Sequence, residues 1–252
     1  MKKLLVLMVV LSMALSLVAC GKTADVAEPE SVVVEEPSVV ESVEETVEPA
    51  STEEASTEEE AEEVEFTTGE VVNGAYENSL LGIKFIALDG MTFASEDRLA
   101  ELSSSTADVL KDNAKVLESM KDGSVIIVCY ANTDVSTMPV YTFNITMQSE
   151  DSVKAAGTLT EDRILESAKP QIESALKAQG LENLEAVIEP ADFLGEKHTS
   201  LYITADYPGV GKFFEREFII IKNGYVASYT ASEFGSDTDN LVDVFDNVEV
   251  GE

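Results

Sequence analysis

Side chains suited to nucleophilic or acid–base chemistry are scarce in this chain. Its 252 residues include one histidine, His198, and two cysteines, Cys20 and Cys129. A single histidine excludes metal centres that need several, and two cysteines cannot build a cysteine-rich zinc site or a disulfide scaffold. His198 has no evident nucleophile as a partner, so we interpret it as a surface or turn residue rather than a general base.

The sequence around Cys129 is apolar and reads SVIIVCY over residues 124–130. A buried free cysteine behaves as a small hydrophobic side chain, and no adjacent basic residue here favours the thiolate. We therefore predict that Cys129 packs in the core and is not a nucleophile.

The segment DTDN at residues 237–240 begins like the loop of a calcium-binding EF-hand. The pattern then fails, because Leu241 occupies the fifth position and Val242 stands where the loop requires glycine. Capping of a helix by Asp237 or Asp239 explains these residues better.

Other patterns also lack the spacing that their chemistry needs. GVGK at residues 209–212 has neither the length nor the Ser or Thr of a phosphate-binding loop, and Pro208 before it favours a hairpin loop. Phe213 and Phe214 could line a ligand surface, but packing on the faces of a strand is the default interpretation. Acidic residues are too numerous to single out a glycosidase pair. The sequence thus predicts no catalytic, cofactor-binding or metal-binding residue, and it favours a protein that is not an enzyme.

Acidic residues dominate the composition. Lys and Arg number 16 against 49 Asp and Glu, which gives a formal net charge of −33. A nucleic-acid-binding protein needs a basic surface to neutralise phosphates, so the sequence predicts no nucleic-acid partner.

The N-terminal 19 residues have the pattern of a secretory signal peptide. Lys2 and Lys3 precede an uncharged stretch over residues 4–19, which is short for a helix that must span a bilayer with about 20 apolar residues. The alternatives are a signal peptide that ends in a cysteine by chance and an uncleaved membrane helix, and the polar sequence after residue 22 disfavours the second.

The end of this stretch, Leu17-Val18-Ala19-Cys20 followed by Gly21, resembles the lipobox of bacterial lipoproteins. The resemblance implies that the Cys20 thiol receives a diacylglyceryl group and that cleavage occurs just before it. The mature chain would then be anchored by lipid to the extracytoplasmic face of a bacterial cell membrane, since two acyl chains suffice for stable anchoring. With Cys20 lipidated, Cys129 has no partner for a disulfide.

Residues 20–69 are predicted to form a disordered, glutamate-rich linker. Residues 23–66 contain 17 acidic residues and no basic one, and the pentapeptide ASTEE occurs at 50–54 and again at 55–59. Such a segment cannot bury enough apolar surface to offset the entropy of ordering. We interpret it as a spacer that holds the following domain away from the lipid. Binding of Ca²⁺ or of cationic wall components is the alternative.

Residues 70–252 are predicted to form a single domain of the α+β class, an antiparallel sheet with helices packed against it. Four helices are expected: a short one over residues 96–102 that Ser95 caps, one over residues 106–121, one that begins after Thr160, and one at the C-terminus. Thr160 caps the third helix, Pro170 is expected to kink it or make it restart, and Gly180 ends it. The C-terminal helix is expected to turn four side chains inward, those of Leu241, Val244, Phe245 and Val248. Asn223-Gly224 predicts a tight hairpin between the last two strands. The expected strands cover residues 75–78, 83–88, 124–130, 140–148, 184–188, 199–205, 213–222 and 225–232.

The order of these elements and several phrases resemble PsbP-like domains, a fold also found in bacterial lipoproteins of unassigned role. The phrases are YENSLLGIKF, GEKHTSLYIT, REFIIIKNGYVASYTASEF and DTDNLVDVFDNVE. The resemblance covers most of residues 70–252 and implies a binding or assembly module without catalytic activity.

The sequence therefore favours a membrane-anchored extracytoplasmic lipoprotein with a non-catalytic binding or assembly domain. Its expected partners are the membrane, through the lipid at Cys20, and an envelope protein or small ligand. The alternatives are a carboxylate-dependent hydrolase of envelope polymers and a solute-capturing lipoprotein of a transporter. No cofactor is expected.

Overall fold

The structure, a computed structural model, describes residues 65–103, 105, 107–155, 157 and 160–251. The predicted signal peptide, Cys20 and nearly all of the predicted linker lie outside these residues. The described helices are α1 (Glu96–Leu102), α2 (Ala107–Leu110), α3 (Asn113–Lys121), α4 (Glu150–Ala155), α5 (Glu161–Ala178) and α6 (Leu241–Phe245). The described strands are β1 (Glu70–Val72), β2 (Ala75–Asn78), β3 (Ile83–Ile86), β4 (Thr92–Phe93), β5 (Ile126–Asn132), β6 (Val140–Ser149), β7 (Glu182–Phe193), β8 (Glu196–Tyr207), β9 (Gly211–Lys222), β10 (Tyr225–Ser236) and β11 (Val248–Val250).

The strands form two antiparallel sheets. The larger sheet has the order β4-β5-β6-β10-β9-β8-β7, and the smaller has the order β1-β2-β3-β11. Helices lie against these sheets rather than between parallel strands, so the predicted α+β class is confirmed.

The hairpin between β9 and β10 sets the register of the larger sheet. Asn223 and Gly224 both have positive φ, 52° and 79°, as a two-residue hairpin turn requires. The ladder then runs without a shift from Tyr225 opposite Lys222 to Phe234 opposite Phe213. The predicted hairpin is confirmed. The strands β7, β8, β9 and β10 each extend over 12 residues.

Side chains alternate between the two faces of the larger sheet. We call the face against which α5 packs the α5 face; it carries the even-numbered residues of β6 and β10 and the odd-numbered residues of β8 and β9. On this face α5 buries five side chains over the apolar parts of β8 and β9. The members contributed by α5 are Ile164, Leu165, Ala168, Ile172 and Leu176.

The opposite face packs against the smaller sheet and helices α3 and α6. The ring of Phe143 on β6 lies 4.1 Å from that of Phe85 on β3, and Phe245 of α6 meets Phe218 of β9 at 5.0 Å. Phe143, Ile145 and Met147 all belong to this core, as the alternation in β6 predicts.

Two predicted helices are wrong in their extent. Residues 106–121 do not form one helix, because Asp112 has extended backbone angles and its carboxylate accepts hydrogen bonds from the N–H groups of Ala114 and Lys115 at the start of α3. The C-terminal helix stops at Phe245. Val248 lies instead in β11, opposite Phe85 of β3.

Helix α5 is continuous through Pro170, so the predicted restart is wrong. Thr160 caps its start by accepting a hydrogen bond from the N–H of Arg163, as predicted, and Gly180 follows its end with φ at 92°. Ser95 caps α1 in the same way through the N–H of Arg98.

Candidate functional site

Polar side chains cover the centre of the α5 face, where a core would ordinarily be apolar. Eight of the eleven buried polar residues in the described part of the chain lie here, and none is more than 7% exposed. We call these eight residues the polar cluster. They are Thr142, Asn144 and Thr146 on β6, Ser228, Thr230 and Ser232 on β10, and Glu215 and Glu217 on β9.

Strand register assembles the cluster in cross-strand rows. Thr230 of β10 is opposite Asn144 on one side and Glu217 on the other. In the next row Ser232 is opposite Thr142 and Glu215. Directly opposed residues share a face of the sheet and have Cβ atoms about 5 Å apart, so these side chains are neighbours.

Each carboxyl of the cluster accepts one hydrogen bond from a serine. Ser232 Oγ donates to Glu215 Oε2 at 2.7 Å, and Ser228 Oγ donates to Glu217 Oε1 at 2.6 Å. Among the described residues no lysine, arginine or histidine forms an ion pair with either carboxyl. Two buried acids are therefore held by neutral hydroxyls alone.

Burial without a cationic partner changes the ionisation of both acids. Removal from water raises the pKa of Glu215 to about 7, although the hydrogen bond from Ser232 opposes the change. Burial raises the pKa of Glu217 to about 8; the Ser228 hydrogen bond lowers this pKa and the neighbouring charge of Glu215 raises it further. Near neutral pH the cluster thus holds protons that ordinary glutamates would have lost.

Two oxygen atoms of the cluster lack a hydrogen-bond partner. They are Glu217 Oε2 and Asn144 Oδ1, in the same row on either side of Thr230. The described part of the chain has one more such side-chain atom, Gln179 Oε1, just beyond α5. A buried polar atom left unpaired costs about 1–3 kcal/mol, so two in one row need an explanation.

A third buried carboxyl, that of Glu233, has hydrogen-bond partners for both of its oxygens. It lies on the opposite face and is fully buried. Its Oε1 accepts hydrogen bonds from Tyr141 Oη at 3.0 Å and Asn240 Nδ2 at 2.9 Å, and its Oε2 accepts one from the Asn240 N–H at 2.8 Å. Burial and this bond raise the pKa of Tyr141 to about 12. Both oxygens of Glu233 are satisfied, in contrast to those of Glu217.

The structure places His198 away from the polar cluster. It lies near the start of β8 rather than in a turn, and its side chain is 17% exposed. Its Nδ1 is 3.5 Å from Glu161 Oε2, and its ring meets the edge of Phe193. The described residues give it no hydroxyl or thiol partner, so it is not part of a nucleophile–base pair there.

Cys129 is buried in the core on the opposite face, as predicted. Burial raises the pKa of its thiol well above the ordinary range, which makes it a poor nucleophile. Phe213 and Phe214 also pack in the two cores rather than on a ligand surface. Cys20, the predicted lipidation site, lies outside the described residues.

The loop between β8 and β9 forms a hairpin turn, and the loop after β10 provides a hydrogen bond at the start of α6. Residues 208–210 turn between β8 and β9, which confirms the hairpin loop. Asp239 Oδ1 accepts a hydrogen bond from the N–H of Leu241 at the start of α6, so of the two predicted capping residues Asp239 makes such a contact.

Sequence reasoning missed the polar cluster. Its members alternate with apolar residues, as in TFNIT and SYTAS, and such alternation usually indicates a strand with one solvated face. The pair Glu215 and Glu217 in FEREF gives the same indication. Their burial follows from the order of the strands, because β6, β10 and β9 lie in the middle of the larger sheet, and the sequence alone does not specify that order.

Among the described residues, no group of three or more His, Cys, Asp or Glu side chains could hold a metal ion. No helix within the described ranges is both long and apolar enough to cross a membrane.

Fold and site together define an α+β domain with a buried cluster of acids, hydroxyls and an amide in its larger sheet. No protein-family model matches the chain, and no curated protein sequence matches it. Among solved structures, LpqN, which is involved in cell envelope biogenesis of Mycobacterium tuberculosis, matches with a TM-score of 0.37 and 10% sequence identity. The match covers 68% of this chain and 83% of that chain. A similarity of this size carries no conclusion about function.

Proposed function

We propose that this chain is a bacterial lipoprotein, anchored by lipid at Cys20 on the extracytoplasmic face, whose α+β domain is a non-catalytic binding module. The polar cluster is its recognition site. The lipobox pattern supports the anchor, and the resemblance to PsbP-like domains supports the module. One observation carries the assignment of the site: Glu217 Oε2 and Asn144 Oδ1 are buried, unpartnered and in one row.

Binding of a ligand would account for the cost of burying two oxygen atoms of this row without hydrogen bonds. Apolar side chains at these two positions would avoid the loss of hydration without a compensating hydrogen bond. Glu233 shows that the same sheet can satisfy both oxygens of a buried carboxyl. A ligand that donates hydrogen bonds to Glu217 and Asn144 would remove the penalty when it binds.

Binding rather than catalysis fits the chemistry of the cluster. Hydrolysis by two carboxyls needs one of them protonated and the other ionised, which requires environments that push the two pKa values apart. Here both pKa values are raised, to about 7 and about 8, because both acids are buried, although the serine hydrogen bond to each acid opposes the rise. His198 contacts neither acid.

The spacer completes the proposed arrangement. Residues 20–69 would link the lipid to the domain, and like charges along the linker favour extended conformations. A flexible chain of this length spans roughly 35–40 Å on average. The domain would thus reach ligands beyond the membrane surface.

Labelling with radioactive palmitate and membrane fractionation test the anchor. Cys20→Ser is expected to abolish labelling and to leave the chain unprocessed or released from membranes. Cys129→Ala is the matched control, since it removes the other cysteine, and it should label and fractionate like wild type. A Cys20→Ser chain that is labelled and retained like wild type would contradict the anchor.

A pair of isosteric threonine variants tests the recognition site. Thr230→Val removes one hydroxyl from the middle of the row, whereas Thr204→Val removes one from the opposite face of β8. After incubation with envelope extract and washing, mass spectrometry should find a retained compound on wild type and Thr204→Val, reduced at least tenfold on Thr230→Val. Equal retention by the three proteins, or none by wild type, would exclude the cluster as the recognition site for an envelope compound.

A specific observation also favours a second candidate, a carboxylate-dependent hydrolase of envelope polymers. Glu215 and Glu217 are adjacent on one face of β9, and both have raised pKa values, as a general acid does. Release of soluble fragments from purified envelope polymers by wild type, lost in Glu217→Gln and kept in Glu185→Gln, would establish the hydrolase and refute the non-catalytic module. Absence of release by wild type would eliminate it.

A further inference from the structure

Oxygen atoms dominate the polar cluster. It offers two carboxyl groups, one amide oxygen and five hydroxyls, and its two unpartnered atoms are both acceptors. Glu217 Oε2 and Asn144 Oδ1 accept no hydrogen bond, and among the described residues no Lys, Arg or His forms an ion pair with either acid of the cluster. A ligand that binds here must therefore supply donors or positive charge.

Helix α5 and strand β8, which pack beside the acids, do not supply that charge. The helix α5 turns apolar side chains toward the sheet, and β8 places Leu201 and Ile203 beside the two acids. Tyr130 of β5, opposite Asn144, is a further titratable side chain close to the cluster; burial raises its pKa to about 12, and the charge of Arg98 on α1 opposes the rise.

Charged groups on helices α1, α4 and α5 form three ion pairs around this face. The pairs are Arg98 with Glu101 on α1, Lys154 with Glu150 on α4, and Lys169 with Glu173 on α5.

We propose that the polar cluster binds a cation in exchange for protons carried by Glu215 and Glu217. The inference rests on the proposed function, since it names the chemical class of the ligand for the same site. The carboxyl O–H bonds break, the protons pass to the solvent, and the ionised oxygens contact the cation. Asn144 Oδ1 and Glu217 Oε2, which lack donors in the protein, become its further contacts.

The exchange follows from the electrostatics of burial. In the unliganded domain protons neutralise the two acids, because a buried carboxylate without a counter-charge is unfavourable. A bound cation supplies that counter-charge and favours the ionised forms. Each proton released makes the association constant rise about tenfold per pH unit while the pH is below the pKa of that carboxyl.

Two sources of positive charge share this chemistry. Hard metal ions such as Ca²⁺ and Mg²⁺ take oxygen ligands of the carboxylate, amide and hydroxyl types. An organic ammonium group carries three hydrogen-bond donors, which carboxylate, amide and hydroxyl oxygens can accept. The experiment separates the two sources.

Isothermal titration calorimetry of the full-length protein provides the test, with CaCl₂, MgCl₂, KCl and methylammonium chloride as separate probes. Each titration is run at pH 6, 7 and 8 in two buffers that differ in ionisation enthalpy. At least one probe is expected to bind with a stoichiometry of one, to release one to two protons, and to bind more tightly as the pH rises from 6 to 8. Binding of a metal chloride but not of methylammonium would identify the ligand as a metal ion. Binding of methylammonium but not of a metal chloride would identify it as an ammonium group.

Matched variants assign the binding to the cluster. Glu217→Gln should weaken binding at least tenfold and reduce the released protons by about one, whereas Glu185→Gln, at an exposed position on β7, should bind like wild type. Asn144→Leu, which removes an unpartnered acceptor, provides a second variant if Glu217→Gln does not fold, and it should also weaken binding. Binding that survives both cluster variants belongs to the acidic linker and overturns the proposal, as does the failure of every probe.

The two proposals can fail separately. If no cation binds but envelope material is retained and its retention depends on Thr230, the proposal of a cation is wrong and that of a binding module stands. If cations bind in a cluster-dependent way and nothing from the envelope is retained, the cation site stands and recognition of an envelope ligand is wrong.

Discussion

Asn144 and Glu217 lie on either side of Thr230 in one cross-strand row, and each ends in a buried oxygen atom without a hydrogen-bond partner. Glu233, on the opposite face, has both of its oxygens satisfied by Tyr141 and Asn240. The sheet therefore holds one buried acid, Glu233, whose two oxygens are both bonded, and another, Glu217, that has one oxygen without a partner. This difference supports a binding role for the α5 face.

Replacement of Asn144 by leucine should separate stability from binding. The variant removes an unpartnered acceptor, so its free energy of unfolding should equal or exceed that of wild type. Asn78→Leu is the contrasting control, because Asn78 is buried and bonded to Tyr76 Oη and the N–H of Leu81; it should lose about 2–3 kcal/mol. Urea denaturation measures both. A loss of the same size at Asn144 would mean that this side chain supports the fold.

The stability of the domain should fall as the pH rises through neutrality. Glu215 and Glu217 have pKa values near 7 and 8 in the folded domain, whereas in the unfolded chain they titrate near the ordinary value of 4.5. Between these values the folded state binds more protons than the unfolded state. The stabilisation is complete below about pH 4.5 and is lost by about pH 8, at up to about 1.4 kcal/mol per pH unit for each acid.

Urea denaturation at pH 5, 6, 7 and 8 checks this dependence. Glu217→Gln cannot ionise at this position, so its free energy of unfolding should fall less steeply with pH than that of wild type. Glu185→Gln, which changes an exposed acid on β7, should keep the wild-type slope. Parallel curves for all three proteins would show that Glu217 titrates as an ordinary acid.

Removal of the Glu233 carboxylate should destabilise the domain strongly. Glu233→Ala leaves Tyr141 Oη and both Asn240 donors without their acceptor, and the expected loss is about 2–4 kcal/mol. Glu233→Gln retains one acceptor oxygen and should lose less. Urea denaturation provides both values, and a loss below about 1 kcal/mol in Glu233→Ala would exclude a structural role for this network.

Replacement of Pro170 should stabilise the domain. Pro170 is an exposed residue in the middle of α5, where proline removes a backbone hydrogen bond and crowds the preceding turn. Pro170→Ala should raise the free energy of unfolding by about 1–3 kcal/mol. Ser167→Ala, an exposed change in the same helix, should alter it by less than about 0.5 kcal/mol. Equal values for both variants would mean that α5 accommodates proline without cost.

Local signals in the sequence predicted much of the fold. The alternation in β6, the caps at Ser95 and Thr160, and the Asn223-Gly224 turn depend on neighbouring residues, and the structure confirms each of them. Features that depend on distant partners were not predictable. The strand β11 exists because it pairs with β3, more than 160 residues earlier, and three residues give no period of their own.

The candidate site was invisible in the sequence for a related reason. Ser228, Thr230 and Ser232 alternate with Tyr229 and apolar residues in the way that solvated strand faces do. Their burial and the row that joins Thr230 to Glu217 follow from strand order and register, which a single sequence does not specify.

The most direct test of the binding site is the carbon-13 NMR spectrum of the glutamate side-chain carboxyls, recorded before and after incubation with envelope extract. The resonances of Glu215 and Glu217 are assigned from their Gln variants, and Glu233, whose oxygens are already bonded, serves as the internal reference. The Glu215 and Glu217 resonances should shift on incubation while the Glu233 resonance stays in place. Unchanged Glu215 and Glu217 resonances would contradict a recognition site in the polar cluster.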